Sequence, residues 1–242
     1  MQVHVIQHVL FEKAGLIGEW ADERGHDLTV RRAWADELPT PSRDELLVVL
    51  GGPMGANDDA SLPWLHAEKR HIAEAIAAGA PVLGVCLGAQ IIATVIGGSV
   101  RRNRETEIGW YPVMPTPEAS ASSLFAQWPA QTVVGHWHGD TFELPEGMQP
   151  LLSSAHCRNQ AFEFDGHVVG LQFHLEWTTP LLVGMIDACA EEFAAPGDAI
   201  MPARDLLGGL EAGQEERRTL LFALLDRLAL VTRRQAEEAE HD

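Results

Sequence analysis

Cys86 lies in the run Gly84-Val85-Cys86-Leu87-Gly88-Ala89-Gln90, a thiol with a glycine two positions away on either side. An apolar stretch, Ala80-Pro81-Val82-Leu83-Gly84-Val85, leads into it, and a small, apolar stretch from Leu87 to Ile96 leads out to Gly97-Gly98. The first pattern predicts a short buried strand and the second a helix with a glycine stop. Cys86 then occupies a sharp strand-to-helix turn, where flanking glycines relieve crowding, as in the G-x-S-x-G elbow with sulfur in place of oxygen. The first N–H groups of such a helix lack intrahelical partners. They favour a thiolate and the oxyanion formed when it attacks a carbonyl. The competing reading of Cys86 is a small buried hydrophobe.

A nucleophilic thiol needs a base or imidazolium, and that group needs an orienter. Of eleven histidines, His174 ends the apolar run Val168-Val169-Gly170-Leu171-Gln172-Phe173, and Glu176 follows two residues later. On extended backbone, residues i and i+2 project to one side, so the carboxylate can reach the imidazole. That pairing would fix the tautomer and stabilise an imidazolium beside sulfur. His136 and His138, in Gly135-His136-Trp137-His138-Gly139-Asp140, have no third ligand at a recognisable spacing, so no metal site is expected there. His138-Gly139 reads either as a plain loop or as a wall of the substrate pocket. His4, His8, His66 and His71 read as surface or capping residues.

The elements that must position these groups alternate in the first half of the chain. Val3 to Ile6, Leu28 to Arg32 and Glu45 to Leu50 look like strands. Helices are predicted around Gly15 to Arg24, and from Ser61-Leu62-Pro63 to about Ala78. This β-α-β-α order implies an α/β fold, a mostly parallel sheet with helices on both faces, whose ligands bind beyond the carboxyl ends of the strands. Gly51-Gly52-Pro53 and Cys86 both follow strands and therefore share one mouth. From Gly98 to His174 the spacing shortens, with strands at Trp110–Met114, Thr132–Trp137, Gln160–Phe164 and Val168–Phe173, and an Asp165-Gly166 hairpin signal between the last two. An antiparallel extension of the sheet is expected. Pro180 opens a helix to about Phe193, broken at Ala195-Pro196-Gly197-Asp198. Beyond it Leu220, Leu221, Leu224, Leu225 and Leu228 keep helical spacing, predicting a helix that packs on the parent domain or docks a partner. The last residues, Gln235 to Asp242, are polar and expected to fray.

Formal net charge is −18, from 17 basic and 35 acidic residues among 242. Such a balance argues against nucleic acid as a direct partner, because phosphate contacts need clustered Lys and Arg. The one basic cluster, Arg101-Arg102-Asn103-Arg104, precedes Glu105 and Glu107 and reads as a solvated loop, the alternative being a contact to an anionic substrate group. No apolar run has the length of a membrane span, and Met1 to His8 carry no signal-type pattern. Cysteines at 86, 157 and 189 show no paired or metal-type spacing, which suits a reducing compartment. A cytoplasmic protein without a membrane partner is expected.

Taken in order, GGPMG (51–55), GVCLGAQ (84–90), WHGD (137–140) and QFHLE (172–176) resemble the motifs of the class I glutamine amidotransferase family. The likeness covers about residues 45–180, and Glu107-Ile108-Gly109-Trp110 is similar to a stretch of stand-alone members near the glutaminase domain of GMP synthetase. The resemblance implies a flavodoxin-like three-layer fold over residues 1–195, with 196–242 as a C-terminal helical extension. It implies a Cys86–His174–Glu176 triad that removes the side-chain amide of glutamine through a thioester. It also implies an oxyanion hole from the N–H groups of Gly52 and Leu87, with Gln90 and the backbone around Trp137 and Gly139 holding glutamine, His138 beside them, and no cofactor. Leu175 stands where the family commonly has Pro, which leaves the His-x-Glu spacing intact. The residues after 180 are too few for an ATP-pyrophosphatase fold and no GxxxxGK[ST] loop is present, so the implied acceptor of ammonia is a separate synthetase subunit. A second enzymatic reading uses the same triad as a stand-alone γ-glutamyl hydrolase or peptidase. A third, non-enzymatic reading is a binding or regulatory protein on the same fold.

Overall fold

The structure, a computed structural model, describes residues 1–39, 42–194 and 197–239, with backbone alone at 194 and 232–239. Of the helix break expected at Ala195-Pro196-Gly197-Asp198, the first two residues lie outside the described ones. Among the described residues, nine strands form one mixed sheet. Strands β1 (Gln2–Gln7), β2 (Asp27–Arg32), β3 (Leu46–Val49), β4 (Val82–Val85) and β9 (Val168–Leu171) run parallel in the order β2-β1-β3-β4-β9. The predicted antiparallel extension is as extensive as this parallel half. It comprises β5 (Ser99–Pro115), β6 (Thr132–Glu143), β7 (Leu152–Ser153) and β8 (Ala161–Phe164), continuing the sheet from β9 as β8-β7-β5-β6. The Asp165-Gly166 hairpin joins β8 to β9 through a three-residue connection, residues 165–167, in which both Asp165 and Gly166 have positive φ.

Period-two alternation gives the sheet its two covered faces. Val3, Val5, Leu46, Val48, Leu83 and Val85 point to one side, where helix α1 (Leu16–Glu23) packs through Leu16, Ile17 and Trp20. Ile6, Leu47, Val49 and Val82 point to the other, against α2 (Pro63–Ala77) and α3 (Leu87–Val95) through Leu65, Ile72, Ile91 and Ile92. A third apolar cluster joins Ile108 and Trp110 of β5 and Trp137 of β6 to α4 (Thr179–Ala188) and α5 (Ala203–Glu211). The helix expected to reach Phe193 ends at Ala188 and resumes as a 3-10 turn at Ala190–Ala194.

Helix α6 (Gln214–Ala239) settles where the leucine-rich segment goes. Leu221, Leu224, Leu225 and Leu228 complete the core over α1. Asp226 accepts from Trp20 Nε1 at 2.8 Å and from Arg24 at 3.0 Å. The tail expected to fray from Gln235 is helical through Ala239, and residues 240–242 lie outside the described ones. Between α4 and α6 the chain straps β5: Ile108 N donates to Ala199 O at 2.8 Å and Met201 N to Ile108 O at 2.7 Å.

Two expectations need correction. Arg101 to Arg104 belong to β5 rather than to a loop, because the exposed β5–β6 ribbon matches their charge across the ladder. Arg101 pairs with Glu143 and Arg102 with Asp140. A charge run thus reports solvation, not loss of a strand. His8, read as a surface or capping residue, is buried, as is most of His71.

Candidate active site

The predicted elbow is sharp. Cys86 has φ 52° and ψ −107° between β4 and α3, and the only other non-glycine residue at positive φ among those described is Asp165. Holding Cys86 there costs about 1–3 kcal/mol, which the surrounding packing must offset. A Cβ on Gly84 would lie 2.5 Å from Ile92 Cδ1, and one on Gly88 would lie 2.0 Å from Val49 O. Only glycines at these two places let the helix close down on the strands and turn the sulfur outward.

His174 arrives by a different route. β9 ends at Leu171, and the next residues alternate: Phe173 and Leu175 enter the core while Gln172, His174 and Glu176 project to the other side, where His174 lines the cleft. A backbone pair with Gly135 of β6, His174 N to Gly135 O at 2.7 Å and Gly135 N to His174 O at 3.2 Å, pins the histidine. Trp177 stacks on its ring at 4.5 Å. Nδ1 is 2.6 Å from Glu176 Oε1, and Glu176 Oε2 accepts from Leu175 N at 3.1 Å. Burial works against a charge on the imidazole, but Glu176 and the neighbouring thiol outweigh it and hold its pKa well above the ordinary value. Nε2 has no hydrogen-bond partner among the described residues and faces the sulfur side.

Gln172 joins this group unannounced by the sequence reading. Its Nε2 is 3.8 Å from Cys86 Sγ and its Oε1 accepts from Gln90 Nε2 at 3.2 Å. The signal was available, since Gln172 precedes His174 by the same i, i+2 step as Glu176 follows it. Gln90 also donates to Asp140 O at 3.2 Å, so what it offers the cleft is its carbonyl oxygen. The Cys86 thiol lies 3.6 Å from Trp137 O.

Gly52 and Leu87 meet across the mouth, where a Cβ on Gly52 would be 3.1 Å from Leu87 Cδ2. Neither backbone N–H donates to any acceptor among the described residues, although Gly88 N next door is used by Leu50 O. The Gly51-Gly52 loop is held from beneath: His8 Nδ1 is 3.0 Å from Gly51 O and His8 Nε2 is 2.8 Å from Glu68 Oε1. Both nitrogens face oxygen atoms, an arrangement that favours the doubly protonated ring. Burial lowers the His8 pKa, but the Glu68 carboxylate and the Gly51 carbonyl together raise it above the ordinary value.

His138 and Gly139 line the cleft with Trp137, but the His138 ring is turned inward. Its Nδ1 is 2.9 Å from Asp140 O and its Nε2 is 2.9 Å from Glu107 Oε2. Glu107 and Cys157 supply the additional metal-type ligand atoms missing from the sequence pattern, all within 4.8 Å of one another with His138. They are already engaged: Glu107 accepts from Ser154 at 2.7 Å and Gln160 at 2.8 Å, and Cys157 Sγ is 3.2 Å from Thr141 Oγ1. Burial opposes ionising Glu107, yet His138, the neighbouring His136 and the Ser154 hydroxyl bring its pKa down to about 2. The cluster thus serves as a polar floor beneath β6.

The cleft encloses about 170 Å³ and collects Gly52, Cys86, Leu87, Gln90, Trp137, His138, Gly139 and His174. Glu12, from the β1–α1 loop, also lines it and was not singled out from the sequence. The loop is tied down by Gln7 Nε2 to Glu12 O at 2.9 Å and by Leu16 N to Glu176 O at 2.9 Å. Burial pushes the Glu12 carboxyl up to about 7, with His174 pulling the other way.

Against known proteins, the pattern of the class-I glutamine amidotransferases matches residues 17–181. The glutamine amidotransferase-like protein YfeJ of Salmonella typhimurium is 35% identical over 199 residues, 80% of this chain and 83% of that one. The crystal structure of a glutamine amidotransferase from Thermotoga maritima superposes with a TM-score of 0.85 at 33% identity, covering 95% of this chain and 98% of that one. A glutamine-hydrolysing GMP synthase of Macrococcus caseolyticus is 36% identical over 100 residues, which are 40% of this chain but 19% of the synthase. With the elbow, the extended His-x-Glu segment and the mixed sheet in place, these matches decide the question of kinship: the chain belongs to the class-I glutamine amidotransferase family.

Proposed function

We propose that Cys86, His174 and Glu176 hydrolyse the side-chain amide of glutamine through a thioester. The observation that carries this reading is the convergence on one cleft of a strained thiol, a charged imidazole on a carboxylate, and two idle backbone amides. The sulfur adds to the amide carbon, and the carbonyl electron pair becomes an oxyanion against the N–H groups of Gly52 and Leu87. The C–N bond breaks as His174 Nε2 gives its proton to the departing nitrogen, releasing ammonia and leaving a thioester. The same nitrogen then takes a proton from water, whose oxygen attacks the thioester. Sulfur leaves, and glutamate is released. Glu176 keeps the imidazole oriented and favours its charged form. The Gln90 carbonyl and the backbone of Trp137 and Gly139 hold the substrate, with His138 bracing that wall from behind.

The ammonia goes to a separate synthetase subunit, by analogy with the GMP synthases, in which the matched region is about a fifth of the chain. In this arrangement residues 1–195 carry the reaction and the described part of 196–242 braces α1 and β5. The test is release of glutamate and ammonia from glutamine, with and without a fraction from the host that contains its ATP-dependent ligases. Stimulation by that fraction, and loss of all release in folded Cys86→Ala, is the expected result. Full activity without any added fraction turns the reading toward the stand-alone γ-glutamyl hydrolase, which uses the same residues in the same roles.

A further inference from the structure

Two groups of ionisable side chains line the cleft. Arg102 and Asp140 form one, paired at 3.4 Å beside Gln90 and Gly139. Glu12, Cys189 and Glu192 form the other. The second group lies against the imidazole: a Cβ on Gly51 would come within 2.3 Å of Glu12 Oε2 and 3.4 Å of His174 Cε1. Glu192 is tied to the same wall by Trp137 Nε1, which donates to its Oε2 at 3.1 Å. Because His174 protonates the departing nitrogen, the wall beside its ring is the leaving-group side.

Glu12 is the unexplained member. It is 9% exposed, lines the cleft, and its carboxyl makes no hydrogen bond to any described residue. A buried carboxyl without a partner is costly, and it stabilises nothing in the fold. The groups facing it from every side are His174, Glu176, His8 and Glu192. Glu176 is spent on the His174 imidazole, so the carboxyls left to meet a cation from the cleft are Glu12 and Glu192.

We propose that Glu12, with Glu192 at the rim, is a cation subsite for the leaving amine, so that the enzyme cleaves γ-glutamyl amides whose amine carries a second, protonated nitrogen. The step balances as before: the C–N bond breaks, His174 supplies the proton to that nitrogen, and water supplies the hydroxyl to the thioester. The products are glutamate and a diamine. The subsite deepens the γ-glutamyl hydrolase reading and rests on Cys86 as nucleophile.

The test is calorimetric binding to Cys86→Ala of γ-glutamyl-1,4-diaminobutane and of its neutral isostere, γ-glutamyl-n-pentylamide, in buffers of different ionisation enthalpy near pH 7. The diamine amide binds at least tenfold tighter and releases protons as Glu12 ionises against the cation. In Cys86→Ala/Glu12→Gln, with folding checked by melting, the ratio falls to within twofold of unity and the proton release disappears. Equal binding of the two amides to Cys86→Ala, or a preference that survives Glu12→Gln, overturns the subsite. In parallel, the unmutated chain is treated with a glutamine-like diazoketone and assayed on glutamine. Alkylation of Cys86 and turnover of glutamine without an amide preference sinks the subsite alone. Absence of both sinks the nucleophile assignment and the subsite with it.

Discussion

Replacing Glu12 with glutamine is expected to shift stability relative to the parent in the variant's favour as pH rises from 5 to 8. In the unfolded chain the carboxyl ionises near 4.5, whereas in the folded chain burial holds the proton to about 7. Between those values the folded state binds more protons, so stability falls as pH rises through the window. Each unit of difference is worth about 1.4 kcal/mol, which makes the full cost of ionising Glu12 in place about 3 kcal/mol above pH 7 and under about 1 kcal/mol at pH 5. Glutamine cannot ionise and removes that cost. It also buries an amide with no partner, a penalty of about 1–3 kcal/mol that does not change with pH. The readout is therefore the growth of the difference between variant and parent, about 2 kcal/mol from pH 5 to pH 8, measured by urea unfolding. On a melting curve this corresponds to about 4–8 °C for a chain of this size. A difference that stays within about 0.5 kcal/mol across the two pH values would show that Glu12 is not held protonated, and the electrostatic picture of the cleft would fall with it.

Glu68→Ala leaves the buried His8 without its counter-charge or its Nε2 partner and is expected to cost about 3–5 kcal/mol, more than Glu68→Gln, which removes the charge but keeps an acceptor. The raised His8 pKa makes its contribution present below about pH 6.5 and lost as pH rises through the folded value, so urea melts at pH 6 and 9 should show the Glu68→Ala penalty shrinking at the higher pH. Glu176→Gln leaves the shape but not the charge beside Nδ1; a fall of about 10²–10⁴-fold in glutamine turnover with an unchanged circular dichroism spectrum is expected, and a rate near the parent's refutes the orienting role. Gly88→Ala drives a methyl to 2.0 Å from Val49 O and is expected to destabilise by about 3 kcal/mol, visible as a lower urea midpoint. An unchanged midpoint there would mean the elbow is looser than its geometry requires.

The triad candidates were legible because each has a local signature: glycines at Gly84 and Gly88 announce a turn around Cys86, and the step from His174 to Glu176 matches extended backbone. The parallel half of the sheet was legible for a similar reason, since its strands are short, apolar and separated by helical spacing. The long β5–β6 ribbon was not. Its charged strand residues are satisfied by cross-strand partners, Arg101 by Glu143 and Arg102 by Asp140, which lie about forty residues away in sequence. His8 was misplaced because burial of a histidine depends on Glu68, whose distance along the chain hides the pair. Glu12 has no local pattern at all; its meaning comes from Gly51 and His174 closing around it.

The contact between the first and last helices has a consequence for synthesis. Trp20 of α1 hydrogen-bonds Asp226 of α6 across 206 positions, and the leucines of α6 cover the same core face. A nascent chain emerging from the ribosome therefore has α1 and the β1–β3 surface ready long before the segment that covers them. Until about residue 228 has been made, Leu16, Ile17 and Trp20 lack their last layer. Contacts of such high sequence separation form late and slowly, and the uncovered face is a site for chaperone capture or misassociation during translation. Ribosome-stalled chains ending before and after α6 should differ sharply in protease resistance at α1.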